Sequence, residues 1–243
     1  MLLSLQDVTK HFGGVVANNS VSFDVAEGEI VGLIGPNGAG KTTSMNLICG
    51  IFNADSGKII FDGHDITHLA PDKICRHGIA RTYQIPRPFP DLTALSNVGV
   101  AVLCGKPRPH MSYGDAMLDA AHYLEFVGLF GKRNIIAHDL TLFELRSLEL
   151  ARALATSPKL ILIDEVMAGL NPGESRTAIR MIERIVDEYH VTILWIEHVM
   201  KVIMEATHRV VVLQNGEKIT EGVPKDVAND PKVIEAYLGE EYA

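Results

Sequence analysis

Gly35-Pro36-Asn37-Gly38-Ala39-Gly40-Lys41-Thr42 is the stretch that decides the fold of this chain. It fits the pattern G-x-x-x-x-G-K-[ST], in which glycines let successive backbone N–H groups point inward and cradle phosphate oxygens. Ahead of it runs Glu29-Ile30-Val31-Gly32-Leu33-Ile34, a short apolar stretch that predicts a buried strand. Behind it, Lys41 to Cys49 has the composition of a helix, whose N-terminus adds partial positive charge to the loop. A glycine-rich turn that matched by chance would lack this strand-loop-helix context. Residues Gly35, Pro36, Asn37, Gly38, Ala39, Gly40, Lys41, Thr42 and Thr43 therefore form the expected phosphate-cradling set. Lys41 is expected to reach the β- and γ-phosphates and the Thr42 hydroxyl to ligate Mg²⁺. The motif reads as a nucleoside-triphosphate site.

A second set of residues fits that chemistry. Leu160 to Ile163 is an apolar strand followed at once by Asp164-Glu165. A carboxylate at the tip of such a strand is where Mg²⁺ needs a ligand, directly or one layer removed, and Glu165 is then placed to orient or deprotonate the attacking water. Read alone, Asp-Glu after an apolar strand is also a common loop start. His198, in Trp195-Ile196-Glu197-His198, follows another apolar strand, at the edge where ligands of open α/β sheets collect. Gln84 ends the candidate strand Ile79–Tyr83 and is a candidate bridge between metal and the segment beyond.

The rest of the chain reads as alternating strands and helices, which implies a mainly parallel sheet covered on both faces. Residues 2–8, 19–25 and Ser56–Phe61 are expected strands, the last entering a turn at Asp62-Gly63, and Arg209–Leu213 is expected to lead into a tight turn at Asn215-Gly216. Residues 174–188 predict a helix and Val191–Ile196 a buried strand. Ile85-Pro86-Arg87-Pro88-Phe89-Pro90 carries three prolines, which excludes helix and sheet interior and marks a boundary. Beyond it, from Ala94 to about Ser157, the pattern is helical, clearest over Asp115–Val127 and Leu145–Thr156.

Composition bounds the class. At 243 residues, 47% hydrophobic and 21% charged, the chain has the profile of a globular protein with a sizeable core. A net charge of −8 does not favour a nucleic-acid groove, and no nucleic-acid partner is expected. Cys49, Cys75 and Cys104 are widely spaced with no C-x-x-C pair, so reduced thiols in a reducing compartment are expected, each buried for structure. The N-terminal residues lack the pattern of a signal peptide, and no run of eighteen apolar residues spans a bilayer. Membrane association would then run through another chain.

Taken together, these residues resemble the ATP-binding subunits of ABC transporters over essentially the whole chain. The order matches: phosphate loop (Walker A) at 35–42, Gln84 as the Q-loop, Leu160–Glu165 as the Walker B strand and His198 as the switch histidine. Phe12 sits where the family has an aromatic that stacks on adenine; a core-facing ring is the alternative. The look of the branched-chain amino acid transport group is present in Phe12-Gly13-Gly14-Val15-Val16-Ala17, in Ala168-Gly169-Leu170-Asn171-Pro172 and in the tail 230–239, which is shared with lipopolysaccharide-export and urea-uptake ATPases.

The resemblance implies an α/β P-loop NTPase fold with an antiparallel β subdomain and an inserted helical lobe: residues 1–84 and 156–243 as ATP-binding core, 85–155 as lobe. It also implies an ATPase using ATP and Mg²⁺ that powers an importer. The implied partners are a second ATP-binding subunit (hetero- or homodimer), membrane-spanning permease subunits and, through them, a periplasmic or extracellular substrate-binding protein. The implied location is the cytoplasmic, inner face of the cell membrane. Phe89 is a candidate permease contact, with burial under the lobe as its alternative.

One departure is large. The family signature, usually Leu-Ser-Gly-Gly-Gln, falls at Leu140-Thr141-Leu142-Phe143-Glu144, eleven residues before Ala151. In the family this motif opens a helix and contacts the γ-phosphate on the opposite subunit. Here Thr141-x-x-Glu144 fits a capping box. Leu142 and Phe143, however, would limit backbone approach, and Glu144 would place negative charge near an anion. A partner-dependent subunit with little turnover is therefore the second reading. ABC ATPases of DNA repair or translation need coiled-coil insertions or two nucleotide domains, and small-molecule kinases lack the Gln84, Walker B and His198 series.

Overall fold

The computed structural model describes residues 1–105 and 110–241. Residues 106–109, within the expected helical stretch, lie outside the described residues. The elements in chain order are β1 (Leu3–Phe12), β2 (Val15–Val25), β3 (Ile30–Ile34), α1 (Lys41–Ile48), β4 (Ser56–Phe61), β5 (His64–Asp65), α2 (Pro71–His77), β6 (Ile79–Arg81), α3 (Ala94–Cys104) and α4 (Tyr113–Phe126). They continue with α5 (Leu142–Ala155), β7 (Leu160–Asp164), α6 (Pro172–Tyr189), β8 (Thr192–Ile196), α7 (Met200–Ala206), β9 (Arg209–Gln214), β10 (Glu217–Gly222), α8 (Pro224–Val227) and α9 (Pro231–Glu241). Two compact units form, one from Met1–Ile74 with Thr192–Ala243 and the other from Cys75–Val191.

The first unit holds an antiparallel sheet in the order β2-β1-β4-β5. β1 pairs Leu3 with Val25 on one side and with Phe61 on the other. Alternation along these strands buries Leu3, Leu5, Val21, Phe23, Val25, Ile59 and Phe61. In the same unit β3 runs parallel to β8 and to β9, and β9 turns at Asn215-Gly216 into antiparallel β10. β3 and β8 are buried along their whole length, as strands covered on both faces must be. Full burial of Val31, Leu33 and Ile34 contributes roughly 1.5–3 kcal/mol each. At Gly32 the methyls of Ile203 would stand 3.2 and 3.3 Å from a Cβ, so a larger residue would have to push Ile203 aside by a few tenths of an ångström.

The second unit pairs β6 with β7 in parallel, Ile79 opposite Leu160. α6 begins at an Asn171 cap with Pro172 in its first turn and buries Ala178, Met181, Ile182 and Ile185, one helical face. The proline-rich segment has neither helix nor strand. Buried Asn97 of α3 ties it down, accepting from Phe89 N (2.8 Å) and donating to Phe89 O (3.0 Å) and Leu92 O (3.2 Å). An amide side chain there supplies the backbone bonds that a proline-interrupted segment cannot make to itself.

The compact units divide the chain elsewhere than the expected core and lobe. β6, β7 and α6 belong to the second unit. The strand expected over Ile79–Tyr83 ends at Arg81. There the Tyr83 ring lies between the guanidinium groups of Arg81 (5.1 Å) and Arg87 (4.8 Å) and leaves the ladder. Short α2, α7 and α9 had no distinct helical signal. None of the cysteines is in a disulfide, but Cys49 and Cys75 are half-buried and Cys104 is exposed at the end of α3, against the expectation of burial for each. Among the described residues, no helix is long and apolar enough to cross a membrane.

Candidate functional site

In the first unit the phosphate loop leaves β3 through Gly35, whose φ is +146° and where an ideal Cβ would lie 2.0 Å from the Leu213 carbonyl oxygen. Gly40 has φ +97° and a Cβ there would lie 2.5 Å from the Ala17 oxygen. No L side chain fits either position. Gly40 is also the N-cap of α1, and no side chain caps that helix, so its N-terminal amides face the loop. Lys41 is buried, and its ammonium donates to the carbonyls of Gly35 (2.6 Å) and Pro36 (2.8 Å). Asn37, Gly38 and Thr42 are exposed, Thr43 is half-buried, and Pro36 and Ala39 are buried.

Three braces of this loop carry no motif and were not foreseen. Asn18, fully buried in β2, donates to the Ser44 hydroxyl at 2.9 Å. Gly216 N donates to Ala39 O at 3.2 Å from the β9–β10 turn. The Tyr237 hydroxyl of α9 accepts from Gly35 N at 2.9 Å.

Phe12 is 41% exposed, which sets aside the core-facing alternative. Its ring meets Phe52 edge-on at 5.0 Å, with the Lys10 ammonium 5.6 Å from its centroid. Asp55 pins the adjoining backbone, accepting from Lys10 Nζ (2.8 Å) and His11 N (2.6 Å). Those bonds hold its carboxyl down at about 2, so the clamp is charged at every physiological pH. His198 is exposed just past β8. Glu197, almost fully buried, accepts from the backbone N–H of His198 (3.0 Å) and so fixes the loop that carries it.

In the second unit β7 delivers Asp164 and Glu165. Asp164 is buried and paired with Arg81 at 2.7 Å. Glu165 has φ +49°, a left-handed conformation that costs a non-glycine residue about 1–3 kcal/mol. Arg146 holds it there, donating to the carbonyls of Glu165 and Ala168, each at 2.7 Å. The Glu165 carboxylate accepts from Gln84 Nε2 at 2.5 Å. Gln84, Asp164 and Glu165 are thus brought together, while Arg81 and Arg146 are residues that sequence reasoning missed. Within this unit the Gln84 amide and the Asp164 carboxylate offer oxygen donors, the chemistry that Mg²⁺ takes. Arg81 occupies Asp164 Oδ2.

The signature residues open α5 as the capping box requires. Glu144 N donates to Thr141 Oγ1 (3.4 Å) and Thr141 N to Glu144 Oε2 (3.0 Å). Leu140 is buried, Leu142 is 42% exposed and Phe143 is half-buried. The Leu142 side chain lies against Gly169, 3.1 Å from where a Cβ would stand. Lys132 pairs with Glu144 at 2.5 Å and is the main cause of its carboxyl being held low. The carboxylate at this position therefore stays charged and has a cationic neighbour. Phe89 is 43% exposed beneath the Arg152 guanidinium (5.2 Å), so it is not buried under the lobe.

A family profile described as ABC transporter matches residues 18–168, and one described as branched-chain amino acid ATP-binding cassette transporter matches residues 217–243. The chain belongs to the ABC transporter ATP-binding family, with the P-loop NTPase fold of its ATPase cassettes. It is 39% identical to the high-affinity branched-chain amino acid transport ATP-binding protein BraF of Pseudomonas aeruginosa, over 98% of both chains. It is 36% identical to LivG of Escherichia coli, over 98% of both. Among solved structures, an ATP-binding cassette of an ABC transporter in its ADP conformation superposes with a TM-score of 0.87 at 32% identity, covering 98% of each chain. A dimeric cassette bound to ADP and phosphate superposes with a TM-score of 0.83 at 26% identity, covering 92% of this chain and 99% of the other.

Proposed function

We propose that this chain is the ATP-hydrolysing subunit of an importer for branched-chain amino acids. The observation that carries hydrolysis is Glu165, held in a left-handed conformation by Arg146 and touched by Gln84. The relatives, branched-chain amino acid transport proteins, support that substrate class over the urea-uptake and lipopolysaccharide-export alternatives.

In this reading Lys41 exchanges its two carbonyl partners for β- and γ-phosphate oxygens, which carry more negative charge. The α1 amides bind the same phosphates, and Phe12 stacks on adenine. Glu165 orients the water and accepts its proton, and His198 hydrogen-bonds the γ-phosphate. Mg²⁺, held by Thr42 with Gln84 and Asp164, would offset the charge that builds up on the phosphates. Residues 1–84 and 156–243 act as the ATP-binding core. Residues 85–155 act as the lobe that passes closure to membrane-spanning partners, Phe89 being a contact. The chain then works peripherally at the inner face of the membrane, beside a second ATP-binding subunit.

The test is ATP turnover by the purified chain over a range of protein concentrations, with Glu165→Gln as blank. Turnover that rises faster than linearly means that Leu140–Glu144 completes a site in a homodimer. ATP binding with no turnover at any concentration, with or without permease and partner subunits, overturns the hydrolytic role. Transport of leucine, isoleucine or valine by the reconstituted complex tests the substrate.

Leu142 and Phe143 favour a second, asymmetric arrangement. ATP on this chain faces a partner's intact signature and is hydrolysed, while ATP on the partner faces Leu142–Phe143 and turns over slowly. Replacing both with glycine is expected to raise turnover at the partner's site at least about tenfold. The same change costs about 1 kcal/mol per glycine in helix stability at the start of α5. Site-specific turnover, read with the partner's Walker B glutamate removed or retained, checks this. No rise at that site sinks the asymmetric arrangement.

A further inference from the structure

α5 carries Arg146, Glu149 and Arg152 at intervals of three residues, and all three are bonded to the backbone of other segments. Arg146 holds the carbonyls of Glu165 and Ala168. Glu149 accepts from Arg87 N at 3.0 Å and from the backbone N–H of Tyr83. Arg152 donates to Arg87 O at 2.7 Å. Tyr83 and Arg87 bracket Gln84, and Gln84 reaches Glu165. One helix therefore grips both sides of the same contact.

Glu149 is only 7% exposed. A carboxylate is kept that deep only where donors compensate its lost hydration. Burial pushes its carboxyl up, while the amides of Arg87 and Tyr83 and the charges of Arg152 and Arg146 pull the other way. Without it, two backbone N–H groups beside Gln84 would lose their acceptor.

We infer that Glu149 is a positioning residue for the Gln84–Glu165 pair, acting through the backbone of Tyr83 and Arg87, with Arg146 as its counterpart at Glu165. This rests on the proposed hydrolytic role of that pair. It adds a residue that acts on the pair through the backbone on either side of Gln84.

The experiment is a double-mutant cycle in the full chain, with its partner subunits if turnover needs them. Glu149→Ala is expected to lower kcat roughly tenfold or more while KM for ATP changes less than about twofold, the scale of losing charge-assisted hydrogen bonds. Glu149→Gln, which keeps an oxygen acceptor, should recover most of that loss. In a Gln84→Ala background, Glu149→Ala should cost less than about twofold more, since the group it positions is gone. Equal losses in both backgrounds would overturn the inference.

Amide hydrogen exchange supplies an arm independent of activity. In Glu149→Ala the amides of Tyr83 and Arg87 should exchange at least about tenfold faster, with the α5 amides unchanged. Unchanged exchange at Tyr83 and Arg87, or equal acceleration throughout α5, would likewise overturn it. If the unmodified chain showed no turnover, the hydrolytic reading would fail, and exchange would still decide whether Glu149 grips this backbone.

Discussion

Glu165→Gln should reduce ATP turnover by about 10²–10⁴-fold, the range associated with loss of a general base, while nucleotide affinity stays within a few fold. The substitution is nearly isosteric, and an amide oxygen still accepts from Gln84 Nε2, so the side chain stays where it is. The left-handed backbone at 165 is held from the main chain by Arg146, which the substitution does not touch. What is lost is a group that can take a proton. Single-turnover hydrolysis and equilibrium binding of a fluorescent ATP analogue, measured on one preparation, separate the two effects. Retention of more than about a tenth of the original rate would remove Glu165 from the base role.

Gly35→Ala carries the second large effect. Its methyl would sit 2.0 Å from the Leu213 carbonyl, a backbone atom of β9 that no rotamer change can move aside. The φ of +146° adds its own penalty. Either β9 or the loop has to shift, so a loss of at least about 3 kcal/mol is expected, with nucleotide affinity down roughly a hundredfold. Gly38 provides the control. It also has positive φ, +75°, but nothing lies within 4 Å of a Cβ there. Gly38→Ala should therefore cost only the conformational term, about 1–2 kcal/mol. Denaturant unfolding compares them directly, and equal losses in the two variants would contradict the packing account of the loop.

What was legible in the sequence was what local pattern encodes. The phosphate loop, Asp164-Glu165 at the end of an apolar strand and the Thr141–Glu144 capping box each lie within a few residues, and the structure forms all three conformations. Gln84 was legible by its place before the prolines. Long-range partners were not. Arg81 meets Asp164 across 83 positions and Arg87 meets Glu149 across 62, and nothing in the spacing of either pair marks it. Lys132 opposite Glu144 was hidden for the same reason. The short helices α2 and α7 were invisible because seven residues carry too little periodicity to stand out.

The bond from Gly35 N to the Tyr237 hydroxyl spans 202 positions of chain. Nearby, Ile30 N reaches His208 across 178 and Arg209 reaches Glu29 across 180. Contacts of such sequence separation are slow to close, because the entropy of a long loop is lost before the contact returns anything. The brace on the phosphate loop at Gly35 is therefore closed only when the C-terminal α9 is in place. The motif's octet is thus not a self-sufficient module: one of its own amides is satisfied by a side chain from the far end of the chain.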